Sequence, residues 1–168
     1  RLRDHGCEIV SGLCELYVAV ANSDAEKAAA YKPHIYRMLD RILEVGINED
    51  GLFYNQINPV TGKILDDKIA DTWGYTYNAY YSVFMQDKYE PYQKAVIKAL
   101  KNLHNYSQYD WEDGSADGYA DAIESALNLY NREALPETKE WIDSQIQQMW
   151  SLQDSAHRKA TEAYRNTG

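Results

Sequence analysis

Ala70 to Phe84 reads ADTWGYTYNAYYSVF, enough chain for four helical turns with a single charge, Asp71, near its start. Wound as a helix, it carries apolar or aromatic side chains on every side, and a helix that is apolar all round is buried all round. Forty-six positions later the pattern returns as Ala116 to Tyr130, ADGYADAIESALNLY. Ala70, Asp71, Trp73, Gly74, Asn78, Ser82 and Phe84 pair there with Ala116, Asp117, Tyr119, Ala120, Glu124, Asn128 and Tyr130. Near the start, Asp4 to Tyr17 (DHGCEIVSGLCELY) keeps the same register through Asp4, Cys7, Ser11 and Tyr17. The chain is an internal repeat.

Each of these helices is followed by one of a different kind. After the capping cluster Asn22-Ser23-Asp24, Ala25 to Val45 places Ile35, Leu39, Ile42 and Leu43 on one side and charges on the other. That is a one-faced helix, in which Pro33 predicts a kink or a fresh start and Gly46 a stop. Glu90 to Leu103 is a second, with Tyr92, Val96, Ala99, Leu100 and Leu103 as its stripe. Pro136 opens a third, which aims Trp141, Ile142, Ile146, Met149 and Trp150 at the core. Between the first and second pairs, Gly51 to Ile57 and Lys63 to Leu65 flank Asn58-Pro59-Val60-Thr61-Gly62, the signature of a β-hairpin closed by a left-handed glycine. The tail from Ser155 fits the repeat poorly.

Helix pairs repeating at this length mean a solenoid or a closed ring. A first helix with no solvent side favours the ring: an all-α (α/α) toroid, or part of one, with inner and outer helices and one small β-hairpin. Gly51-Leu-Phe-Tyr54 leading to Ala70-Asp-Thr-Trp-Gly-Tyr75, and Trp111-Glu-Asp-Gly114 leading to Asp117-Gly-Tyr-Ala-Asp121, carry a resemblance to the six-hairpin glycosidase-like superfamily. Six units of ~46 residues need about 280 residues, so the 168 residues read as one toroid-like domain supplying part of a ring, a piece of a longer protein.

The formal net charge is −9 and the pI about 4.9. Phosphate backbones reward clustered Lys and Arg, so nucleic acid and anionic membrane are poor partners. No apolar run approaches the roughly 18 residues of a membrane span. Fifteen Tyr and four Trp stand against two Phe, and rings with polar tips suit a half-wet groove. Cys7 and Cys14, about 10.5 Å apart along one helix, are too distant for a disulfide and read as small buried side chains.

Asp117, Asp121, Glu124 and Asn128 fall on one helical stripe. Asp71, Tyr75, Asn78 and Ser82 form the matching stripe on the Ala70 helix, and Asp4, Glu8, Ser11 and Glu15 on the first. The resemblance implies a sugar site at the starts of the inner helices and in the loops before them. Glycoside hydrolysis uses two carboxyl groups, for which Asp71, Asp113, Asp117, Asp121 and Glu124 are the candidates. Tyr54, Asn55, Trp73, Tyr75 and Trp111 are the substrate-binding candidates, and His5 is the one histidine placed for acid/base work. Asp71 and Asp117 equally suit helix capping. The acidic run Asp110 to Asp117 has oxygen ligands for calcium but no EF-hand spacing, and no other metal or cofactor is expected. The expected protein is a glycoside hydrolase acting on an oligo- or polysaccharide, in a secreted or periplasmic setting. The alternatives are a polysaccharide lyase of the same architecture and a non-catalytic helical-repeat module that binds glycan or protein.

Overall fold

The computed structural model describes residues 1–3, 5–109 and 116–155, with side chains described for 118–151 of the last segment. It is mostly helical with one two-stranded antiparallel hairpin. The elements are α1 (His5–Ala21), α2 (Ala25–Val45), β1 (Tyr54–Ile57), β2 (Ile64–Ile69), α3 (Trp73–Asp87), α4 (Glu90–Lys101), a 3-10 helix (Leu103–Gln108), α5 (Ala116–Tyr130) and α6 (Pro136–Ser155).

Local chemistry sets the boundaries. Asp24 caps α2 by accepting from the Lys27 amide at 3.0 Å. Lys88, in the left-handed region at φ 57°, closes α3 with its amide on the Phe84 carbonyl, and Pro91 sits in the first turn of α4. α2 runs unbroken through Pro33, which lies within it and is exposed. The expected fresh start is absent. Gly62 takes φ 75° in the β1–β2 turn, where Asn58 Oδ1 accepts from the amides of Val60 and Thr61. β2 extends to Ile69 and pairs Tyr54 with Ile69, two register shifts bending the ladder.

Three helical hairpins, α1/α2, α3/α4 and α5/α6, stand side by side, and their first helices form a row in which α3 touches both α1 and α5. Ser11 donates to the Tyr75 carbonyl and Tyr17 to Asp87; Tyr75 donates to Asp121 and Tyr81 to Glu133. Both sets of contacts ascend together along the paired helices, so the row is parallel, and the sequence register is the spatial register.

α3 is the buried centre. Trp73, Tyr77 and Tyr80 are fully buried, as are Tyr92 of α4 and Tyr106 beyond it. Trp73 meets Tyr106 and Trp141 edge-on. The tyrosine excess, expected to line a wet groove, instead largely serves this core. Tyr80 donates to the Leu39 carbonyl of α2, Tyr92 to Asp40, and Tyr17 and Tyr36 both to Asp87. Each apolar ring fills a hairpin interface while its hydroxyl finds a hydrogen-bond acceptor there. Cys7 and Cys14 are free and buried, and burial with Glu15 nearby pushes the Cys14 thiol up to about 12.

Two expectations fail at the ends of the row. α1 is not buried all round: Ile9, Leu13 and Leu16 are 62%, 40% and 49% exposed. Trp150, expected in the core, is 60% exposed on α6. Both helices belong to end hairpins, which among the described residues have a neighbouring hairpin on one side only.

Candidate functional site

The parallel row brings together polar stripes that lie far apart in the chain. Tyr75 of α3 donates its phenol both to Asp121 Oδ1 at 3.1 Å and to Glu124 Oε2 at 2.8 Å. The two carboxylates are one helical turn apart on α5, so a single hydroxyl reaches both. Their bonded oxygens can be no farther apart than the sum of those distances. Burial, then the bond it donates to Glu124 and the charge of Asp121, push the Tyr75 phenol well above its ordinary range. The phenol therefore stays a proton donor. Glu124 is exposed and Asp121 and Tyr75 half-buried, so solvent reaches the group. Beside it, Asn78 is half-buried, and Ser82 accepts a 3.4 Å bond from Arg132.

Asp71 lies elsewhere. It is buried, 9% exposed, in the turn before α3. It lines a cleft of about 660 Å³ between the 3-10 helix, α5 and α6, a size within the range of small-ligand sites. His104, Tyr119, Glu137, Glu140 and Trp141 also face this cleft. One carboxylate oxygen of Glu137 is buried with no hydrogen-bond partner among the described residues. Sequence reasoning missed these outer-helix residues because α6 was read for its apolar stripe alone. Glu137, Glu140 and Trp141 recur at helical spacing on one side of α6, which was the available signal.

The remaining candidates divide. Trp73 is 0% exposed and has no ring face to offer a sugar, so its expected stacking role is corrected to a core role. Asn55 is buried in β1 and donates to Asp66 at 3.3 Å, which makes it a hairpin-fastening residue. Tyr54 is half-buried on the same strand, its partner across the ladder being Ile69. His5 sits at the exposed start of α1 with Nδ1 2.9 Å from Glu8. Trp111, Asp113 and the rest of the acidic loop fall outside the described residues, as does the side chain of Asp117, although its backbone is in the first turn of α5. Among the described residues, no three His, Cys, Asp or Glu side chains gather as metal ligands. No described helix is long and apolar enough to cross a membrane.

No family model, curated protein or solved structure matches this chain.

Proposed function

We propose that this chain is an arc of an (α/α) toroid and acts as a glycoside hydrolase on an oligo- or polysaccharide, with Asp121 and Glu124 as its carboxyl pair. One observation carries the reading: two solvent-accessible carboxylates of α5 share the Tyr75 phenol of α3, the middle helix of the row. In a retaining mechanism one attacks the anomeric carbon while the other protonates the leaving oxygen, then activates water. Tyr75 holds the pair in register and supplies a hydrogen bond to whichever oxygen is ionised. Asp71 and the neighbouring cleft would serve a further part of the sugar.

A lyase reading has less support, because a phenol flanked by two carboxylates is a poor base for abstracting a proton. The binding-module reading draws on the apolar edge of α1.

The test incubates the protein with polysaccharides, oligosaccharides and aryl glycosides, reading reducing ends and unsaturated-uronide absorbance in parallel. Release of reducing ends, lost by about 10²–10⁴-fold in Asp121→Asn and in Glu124→Gln, is the expected result. Uronide absorbance would move the assignment to a lyase. Binding without turnover would leave the repeat module.

A further inference from the structure

The cleft beside Asp71 is walled by hydrogen-bond acceptors. Asp71, Glu137 and Glu140 bring three carboxylates to it, and none of its lining residues is Lys or Arg. Lys139, the single base of α6, is engaged by Asp143 at 2.6 Å. His104 adds a further acceptor. Its Nδ1 donates to the Lys101 carbonyl at 3.1 Å, which leaves Nε2 with a lone pair in the neutral ring. One Glu137 oxygen is buried with no hydrogen-bond partner among the described residues, and a buried acceptor without a donor costs the desolvation of that group. A guest that brings N–H donors and positive charge suits such a wall.

The cleft also offers aromatic rings. Tyr119 of α5 is half-buried there, and Trp141 of α6 is fixed edge-on against Trp73 and Tyr106. Rings attract cations and pack against apolar bodies, and about 660 Å³ is far more than a bare ammonium group fills. The guest therefore has a body as well as a charge. Ala122 lines the cleft and is the chain neighbour of Asp121, so the cleft and the carboxyl pair share one stretch of α5.

We infer that the cleft is a subsite for a sugar unit bearing a free, protonated amine, so that the substrate is a glycan containing unacetylated hexosamine. That the guest is a sugar rests on the hydrolase reading; that it is an amine rests on the cleft. A uronate or sulfated unit would meet three like charges there.

Isothermal titration calorimetry on the full chain at about pH 6, where the amine is protonated, tests this with three probes: a glucosamine oligosaccharide, its fully N-acetylated counterpart, and spermidine. The free-amine oligosaccharide is expected to bind about tenfold tighter than the acetylated one, a margin that narrows with added salt. Glu140→Gln lowers that margin, and Glu137→Gln combined with it removes most of it, while binding of the acetylated oligosaccharide stays unchanged. A merely structural loss would weaken both. Circular dichroism checks folding, and Glu140→Gln, at an exposed position, serves alone if the double variant does not fold. Equal affinity for the two oligosaccharides, or no binding of either, overturns the inference. Spermidine binding as tightly as the glucosamine oligosaccharide overturns the sugar assignment. Turnover is read separately. Amine-selective binding without turnover sinks the hydrolase reading and leaves the amine subsite standing, whereas turnover of a neutral glycan without amine preference does the reverse.

Discussion

At Asp87 one carboxylate ties three elements together. Burial alone would raise its pKa, but the hydroxyls of Tyr36 at 2.7 Å and Tyr17 at 2.8 Å, with Lys32 at 3.1 Å, outweigh it and hold the carboxyl below its ordinary range. A depressed folded-state pKa means stability that is present above the unfolded value, ~3.9, and is lost as pH falls through the folded one. Thermal melts from pH 6 downward are therefore expected to show a fall beginning near pH 4 that Asp87→Asn flattens. An unchanged slope in that variant would remove Asp87 from the acid response. Tyr75 is the converse case, one phenol with two carboxylate partners, and its job is different. Tyr75→Phe keeps the ring and removes the shared donor, so Asp121 and Glu124 repel without relief. Under the hydrolase reading, kcat should then fall with KM little changed, since the pair loses the group that holds its geometry. An unchanged kcat would count against Tyr75 as the positioning residue. Trp73→Ala should cost about 3–5 kcal/mol in denaturant unfolding, the usual range for emptying a core aromatic site.

Among the elements, α3 differs from its repeats because, among the described residues, it alone has a first helix on both sides. A Cβ on Gly74 would lie 2.1 Å from the Ser125 Cβ, and Ser125 is fully buried. The glycine is what lets α5 approach. Gly74→Ala is expected to destabilise by about 1–3 kcal/mol, and adding Ser125→Gly should recover much of that loss, since the two side chains compete for one space. Additive losses in the double variant would contradict the close contact. The equivalents of Gly74 are Cys7 in α1 and Ala120 in α5, and Ala120 is exposed, so no close approach constrains it here. The β1–β2 hairpin is fastened to α2 by Arg41, whose Nε donates to the Pro59 carbonyl at 2.7 Å. This brings the turn residues onto the outer layer.

For the whole molecule, the described hairpins share one core running from Leu2 to Ile142. Stability of such an array is a sum of hairpin and neighbour terms, and among the described residues α1 packs against another first helix on one side only, α3 on both. Hydrogen exchange should therefore find α1 less protected than α3. Equal protection of α1 and α3 in a monomer would show that the row does not depend on neighbours.

The repeat, its register and the alternation of helix types were legible in the sequence, because hydrophobic periodicity and residue spacing are local properties that survive without coordinates. So was the hairpin, through the Asn58–Gly62 turn chemistry. Asp121 and Glu124 could be named as acids on one stripe from spacing alone. That Tyr75 stands between them could not, since it depends on α3 and α5 lying parallel and in step. The two ends of the row were equally hidden. A helix that is apolar all round demands burial, but only the number of neighbours decides whether Ile9, Leu13 and Leu16 receive it. The tyrosines make the same point. Their composition announced rings with polar tips, and the tertiary structure placed the tips on Leu39, Asp40 and Asp87 inside the hairpin interfaces. Sequence determined which faces had to be covered. Packing alone determined what covers them.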